Sequence, residues 1–165
     1  MNMSKLIIKI TSFLIIPLLI TGLVFADNAS LSLPNTKINP GSFYYPVKRL
    51  WEKGQEKLQF SKQAKINFYQ SLLKTKLSEL NYVVEKKFLS EVQSASERFA
   101  YQAGILTEEL IRQNKSADKE NVIKEFERFS PFLDTLRDKY EANSSYWMLI
   151  QHDINTLGIL SAQLK

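Results

Sequence analysis

Apolar residues recur every three or four positions along most of the chain, which is the spacing of one face of an α-helix. The longest such stripe follows Ser61, whose hydroxyl can cap the first turn of a helix. Its members are Ile66, Tyr69, Leu73, Leu77, Leu80 and Val84, and the next stripe is Val92, Ala95, Phe99, Ala103, Leu106 and Leu110. The stretch Glu85-Lys86-Lys87 separates the two stripes without Gly or Pro. The pattern therefore leaves open whether these helices form a hairpin or one continuous helix.

Three further helices complete the pattern. A short first helix begins near Pro46, and its apolar residues Val47, Leu50, Trp51 and Leu58 share one face with Gly54, which would either allow close helix contact or weaken the helix. A fourth helix carries Val122, Phe126, Phe129, Leu133, Leu136 and Tyr140, and a fifth carries Trp147, Ile150, Ile154, Leu157 and either Leu160 or Ser161. Pro131 predicts a kink or a split in the fourth helix near Ser130. The run Asn143-Ser144-Ser145 interrupts the pattern and offers a cap for the fifth.

No segment alternates with a period of two for long enough to form a strand. The chain is therefore predicted to be all-α, an antiparallel helical bundle of four to five helices that follows an N-terminal signal segment. The aromatic residues in the stripes are expected in its core: Phe99, Phe126, Phe129, Phe132, Tyr140 and Trp147.

The first 26 residues have the pattern of an export signal. Two lysines precede an apolar run over residues 10–25, and Val24 and Ala26 are small residues suited to cleavage before Asp27. The segment is either a cleaved signal peptide or an uncleaved signal anchor. Both place the rest of the chain outside the cytoplasm, secreted or at the cell surface, and the chain meets the membrane only through this segment.

The remaining residues divide into a linker and one domain. Residues 27–41 are rich in Ser, Asn and Pro and lack periodicity, so they are predicted to be a flexible linker with a reach of about 50 Å. Residues 42–165 form a single helical domain.

Composition excludes several functional classes. The chain has no cysteine, which excludes disulfides, thiolate catalysis and a lipid-modified cysteine after the signal. The net charge of +5 arises from interspersed Lys and Glu, which is typical of solvated helix faces rather than of a nucleic-acid stripe. A protein or an envelope polymer is the expected partner, nucleic acid is not, and the oligomeric state is left open.

One aromatic and basic cluster precedes and opens the first helix: Phe43, Tyr44, Tyr45, Lys48 and Arg49. Its structural interpretation is a turn and helix start whose rings lie across one end of the bundle. Its functional interpretation is a surface that binds anionic envelope polymer, lipid headgroups or a partner peptide. These five residues are the candidate interaction surface.

No pattern of catalytic, cofactor-binding or metal-ligating residues is present in the sequence. His152 is the only histidine; it has no acid three or four positions away, and the adjacent Asp153 does not share its side of a helix. Acidic residues have cations at helical spacing, as in Glu108 with Arg112 and Glu120 with Lys124. The chain is therefore predicted not to be an enzyme, and no cofactor is expected.

The segment Pro40-Gly41-Ser42-Phe43-Tyr44-Tyr45-Pro46-Val47-Lys48-Arg49, together with Phe60-Ser61-Lys62-Gln63-Ala64-Lys65, resembles the opening of an uncharacterised family of exported bacterial helical domains. That family is catalogued as a domain of unknown function of the 5667 type. The resemblance is clearest over residues 40–110. It implies export and a helical fold, and it implies no catalytic residue.

These observations favour an exported, non-enzymatic envelope structural or protein-interaction module. One alternative is an extracytoplasmic chaperone or stress-sensing domain, which a contiguous exposed apolar patch would favour. The other is a small hydrolase, which would bring carboxylates together in a pocket.

Overall fold

The computed structural model describes residues 31–165, so the signal segment predicted over residues 1–26 lies outside the described residues. Within that range five α-helices follow one another, and they confirm the predicted all-α fold. They are α1 (Tyr45–Lys57), α2 (Lys62–Glu85), α3 (Leu89–Gln113), α4 (Ser116–Arg137) and α5 (Ser145–Leu164). Two predicted caps are present, because Ser61 accepts a hydrogen bond from the Ala64 amide at 3.0 Å and Ser144 accepts one from the Trp147 amide at 3.3 Å.

The open question about α2 and α3 is settled in favour of a hairpin. Lys87 adopts a left-handed conformation with φ 54°, and its amide donates to the Val84 carbonyl at 3.1 Å. The Phe88 amide donates to the Val83 carbonyl at 2.9 Å, which closes the turn. The chain reverses there, so α2 and α3 pack against each other, while α5 packs against both α3 and α4.

The predicted stripes of α2 to α5 form one continuous core. Phe99, Phe126 and Phe129 are fully buried at its centre, and the rings of Phe99 and Phe129 meet edge to face with centroids 6.4 Å apart. Phe132 and Tyr140 are only partly buried against the core. Trp147 is also partly exposed, and the Arg137 guanidinium lies 5.1 Å from its ring centroid. Burial of the large apolar side chains supplies most of the driving force for this fold.

Of the predicted kink or split at Pro131, the split is wrong, because α4 runs without interruption from Ser116 to Arg137. Proline costs the helix one backbone hydrogen bond. On either side of it, however, Phe129 and Leu133 are completely buried, so the core holds both halves of the helix. Pro131 itself is exposed.

Residues 31–41, the described part of the predicted linker, lie against the bundle. Leu31 and Leu33 pack against the core, and the Ser78 hydroxyl donates to the Pro34 carbonyl at 2.8 Å. A turn then leads into α1: the Ser42 amide donates to the Asn39 carbonyl at 3.1 Å, and Gly41 has φ +86°. Proline at the second position and glycine at the third are the residues that a type II turn requires.

Candidate interaction face of the first helix

Polar side chains attach α1 to the bundle at its N-terminal end. The Tyr45 hydroxyl donates a hydrogen bond to one carboxylate oxygen of Glu79 at 2.5 Å, and the Lys48 ammonium donates to the other at 2.6 Å. Glu79 belongs to α2 and is 1% exposed. Lys48 also donates to the Ile38 carbonyl at 3.0 Å, which ties the preceding segment to the same point. Hydrogen bonds to charged groups are among the stronger ones in proteins.

The same attachment continues along α1. The Lys76 ammonium of α2 donates to the Glu52 carboxylate at 2.7 Å, and the Tyr69 hydroxyl donates to the Glu56 carboxylate at 2.6 Å. As the residue numbers on α1 rise from 45 to 56, those of the bonded residues on α2 fall from 79 to 69. The two helices are therefore antiparallel. We call this contact the polar seam; it consists of the inward side chains of α1 (Tyr45, Lys48, Glu52 and Glu56) with Tyr69, Lys76 and Glu79 of α2.

Tyr45 is the centre of the polar seam. Its side chain is buried, and the Arg98 guanidinium of α3 lies 5.1 Å from the ring centroid, within range of a cation–π interaction. Burial, together with the hydrogen bond to Glu79, raises the pKa of Tyr45 above its ordinary range. The hydroxyl therefore remains a hydrogen-bond donor.

The apolar residues of α1 face away from the polar seam. Val47, Leu50 and Trp51 are 65%, 72% and 67% exposed, and Leu58, just beyond the helix, is 62% exposed. At 100° per residue these positions lie opposite Tyr45 and Glu52 around the helix. A β-carbon at Gly54, on the same side, would have no heavy atom within 4 Å, so Gly54 allows no close helix contact. We call Val47, Leu50, Trp51, Gly54 and Leu58 the outward face of α1.

The outward face is bordered by aromatic residues and by cations. Phe43 and Phe60, at the two ends of α1, are 90% and 91% exposed. Arg49, Lys53 and Lys57 are exposed along one side of the face. The two acids of α1, Glu52 and Glu56, are partly buried in the polar seam, so the exposed charges of the helix are all positive.

The structure divides the five residues of the predicted interaction surface. Phe43 and Tyr44 are exposed and contact each other edge to face, with ring centroids 5.6 Å apart, and Arg49 is exposed as well. Tyr45 is buried and the Lys48 side chain is only 16% exposed, because both belong to the polar seam. Two of the five residues therefore hold α1 against the bundle, and the other three contribute to the exposed surface.

A shallow groove of about 140 Å³ lies between α1, α2 and α3. Arg49 and Lys53 line it from α1, and Arg98 and Tyr101 line it from α3. Arg98 buries its Nε and one terminal nitrogen without a hydrogen-bond partner in the described residues. Its guanidinium is placed by the Tyr45 ring and by Glu91, 4.0 Å away.

The residues weighed for catalysis do not come together. His152 is exposed, whereas Asp153 is 1% exposed and faces the core. Burial raises the pKa of Asp153 to about 8, and the Ser96 hydroxyl of α3 opposes that shift.

Of the two predicted ion pairs, one is present and one is not. Lys124 and Glu120 pair at 2.6 Å as predicted. The predicted pair of Glu108 with Arg112 is wrong, because Arg112 bonds to Glu109, which is turned inward beside Lys65 and Gln113. Burial opposes ionisation of Glu109, but hydrogen bonds from Gln113 and Arg112 and the nearby Lys65 charge together lower its pKa.

Sequence reasoning missed the polar seam, although a signal for it is present. Tyr45, Lys48 or Arg49, Glu52 and Glu56 recur at helical spacing, just as the apolar residues of α1 do. The α1 segment therefore has two well-formed faces. Recognising which one packs required the complementary charges Lys76 and Glu79, which interrupt the otherwise apolar side of α2.

Two further properties of residues 31–165 bear on the site. Within that range there is no group of three or more His, Asp or Glu residues that could hold a metal ion. None of the five helices there combines the length and apolar character needed to cross a membrane.

Comparison with known proteins identifies a family for much of the chain. The model of the family described as Domain of unknown function (DUF5667) matches residues 37–131, from the segment before α1 into α4. The curated proteins and the solved structures contain no significant match.

Proposed function

We propose a function from the geometry of α1, since the chain belongs to the DUF5667 family, a family of domains of unknown function that supplies no activity to transfer. The protein acts as an exported, non-enzymatic interaction domain of the cell envelope. The outward face of α1 is its contact surface.

The orientation of α1 carries this proposal. A helix that serves only to stabilise a bundle turns its apolar side inward, whereas α1 turns its apolar side to solvent and its acids toward α2. Phe43, Trp51 and Phe60 alone expose roughly 400–600 Å². The largest apolar patch on a soluble monomer is typically about 300–600 Å², and such a patch is often functional.

The same exposed area is the feature that would favour a chaperone-like domain. A client-holding surface is usually a groove that surrounds an apolar segment. The outward face of α1 is instead a convex stripe on one helix, bordered by cations. We therefore propose that the outward face binds a specific partner, and we do not favour a chaperone-like domain that holds unfolded proteins.

The proposal can be tested by site-specific photo-crosslinking of the full-length chain in a bacterial host. A photoreactive amino acid at position 50 is expected to crosslink to envelope components. Position 159 on α5 is the matched control, because Ile159 is 59% exposed, Leu50 is 72% exposed, and no residue of α5 lines the groove beside α1. The intact mass of the extracytoplasmic product shows whether the chain has been cut before Asp27.

Two results would contradict the proposal. Retention of the chain in the cytoplasm would exclude an envelope role. Equal crosslinking from positions 50 and 159 would show that the outward face is not the contact surface.

A further inference from the structure

We infer that the outward face of α1 docks on an anionic lipid surface, with the helix lying in the plane of the membrane interface. This inference rests on the proposed function and names the partner of the same face. Helices that lie in an interface carry Trp, Phe and Leu on one side and Lys or Arg on the other, and they bury the apolar side about 5–10 Å into the headgroup boundary.

The side chains of α1 are arranged as that mode of binding requires. Leu50, Trp51 and Leu58 point away from the bundle, so they can enter a bilayer surface without disturbing the core. Aromatic rings at interfaces prefer the headgroup level. Phe43 and Phe60, almost fully exposed at the two ends of the helix, can take that position.

The outward face of α1 does not pack against the rest of the bundle, so it is accessible to a membrane. The close helix-to-helix packing involves α2 to α5, while α1 stands apart and is reached by the long side chains of the polar seam. A helix held off the bundle by its polar side presents the whole opposite side to a flat partner. This geometry suits a membrane better than it suits a peptide, which binds in a groove.

Charge selects the kind of membrane and argues against a second copy of the chain. Arg49, Lys53 and Lys57 border the outward face, and both acids of α1 are turned into the polar seam. Two copies meeting through this face would bring six like charges together. Anionic headgroups complement the same cations.

Tryptophan fluorescence of the full-length chain tests the inference. The Trp147→Phe variant leaves Trp51 as the reporter, because the chain contains only two tryptophans. The chain is combined with vesicles of phosphatidylglycerol and phosphatidylcholine, or of phosphatidylcholine alone, each containing a brominated lipid. Residues 10–25 are the same in the wild type and in the variants of α1, so comparing these chains separates docking of α1 from membrane insertion of that segment.

We expect a blue shift and quenching of Trp51 with phosphatidylglycerol, reversed by salt, and neither effect with phosphatidylcholine alone. Each cation near an anionic surface changes partitioning about fivefold, so Arg49→Gln, Lys53→Gln and Lys57→Gln together should weaken docking about a hundredfold. The matched control removes three exposed cations elsewhere, with Lys86→Gln, Lys124→Gln and Arg128→Gln. The Trp51→Phe variant, which reports from Trp147, should show no quenching.

Three outcomes would overturn the inference. Trp51 that remains in water with both vesicle types excludes docking on lipid, and equal quenching in both excludes selection of anionic headgroups. A lipid-independent blue shift with a doubled molecular mass would assign the face to a second copy. If Trp51 stays unquenched while position 50 still crosslinks to envelope proteins, the proposed function stands and only the lipid inference fails.

Discussion

Asp153 is an acidic residue that is almost completely buried, although a carboxylate is more stable in water. It lies on α5 among core residues, and neither carboxylate oxygen has a hydrogen-bond partner in the described part of the chain. Burial raises its pKa to about 8. The folded protein therefore keeps this carboxyl protonated at neutral pH, whereas the unfolded chain ionises it.

The pH dependence of stability should show this difference. Between about pH 4 and pH 8 the unfolded state binds fewer protons at Asp153 than the folded state. The contribution of this group to the free energy of unfolding therefore falls by about 1.4 kcal/mol per pH unit as the pH rises. Asp153→Asn removes this titratable group. The free energy of unfolding of the variant, relative to that of the wild type, should therefore rise by about 3 kcal/mol between pH 5 and pH 7, as measured by urea unfolding.

An exposed acid provides the control for that measurement. The Asp138 side chain is 61% exposed, so Asp138→Asn should follow the wild type closely across the same range. A pH-independent difference between wild type and Asp153→Asn would show that the carboxyl is not protonated in the folded state.

Tyr45 is the residue that fixes α1. Tyr45→Phe removes the hydroxyl that Glu79 accepts while keeping the ring among its cations, and a hydrogen bond to a charged group contributes about 1.5–3 kcal/mol. Amide hydrogens of α1 should therefore exchange at least about tenfold faster in this variant. Tyr44→Phe, which changes an exposed ring, should leave exchange in α1 unaltered. Equal protection in the two variants would show that the hydroxyl does not hold the helix.

At the level of elements, glycine destabilises α1 at one position but is required in the turn that precedes the helix. Gly54 lies in the middle of a helix with open space around its α-carbon, so Gly54→Ala should stabilise α1 by about 0.5–1 kcal/mol. At Gly41 the space would also admit a β-carbon, since the nearest atom, on the Phe88 ring, is 3.8 Å away. Its φ of +86° nevertheless disfavours any side chain, so Gly41→Ala should cost about 1–2 kcal/mol.

Hydrogen exchange separates these two changes. The Gly54→Ala variant should show slower exchange in α1 alone, and the Gly41→Ala variant faster exchange in residues 39–48. Slower exchange in both variants would mean that the left-handed turn is not required for the start of α1.

The elements themselves were predictable because α2 to α5 each have one apolar stripe, and burial of a single stripe determines which side faces the core. The α1 segment has an apolar and a polar stripe of equal regularity, so periodicity alone could not choose between them. Tyr45 and Lys48 lie close to Phe43 in sequence, but they face the bundle while Phe43 is exposed, so closeness along the chain does not predict a shared surface. Pro131 was overruled by tertiary packing, as fully buried Phe129 and Leu133 flank it.

At the scale of the whole molecule, the match to the family covers less than the folding unit. It ends at residue 131, within α4, whereas α5 buries Ile150, Leu157 and Leu164 in the common core. A chain that ends at Glu141 would leave Phe126, Phe129 and Leu133 without part of their covering.

We expect that truncated chain to lose cooperative unfolding. Full burial of a large apolar side chain contributes about 1.5–3 kcal/mol, so losing part of that burial at several residues removes a large share of the stability of a small domain. Urea unfolding followed by circular dichroism, compared with the full-length chain, measures the loss. A sharp transition of unchanged midpoint in the truncated chain would show that α5 is dispensable.

The docked segment over residues 31–41 changes how far the domain could travel if residues 1–26 remain in a membrane. A free linker of fifteen residues would give a reach of about 50 Å, but only residues 27–30 precede the first docked side chain, which leaves about 13 Å of contour. The volume that the domain can sample scales with the cube of this reach, so it falls to a few per cent of the volume that a 50 Å linker would allow. The local concentration of α1 at the lipid surface rises in proportion. Under that condition even a weak affinity of the outward face for headgroups would keep it occupied nearly all the time.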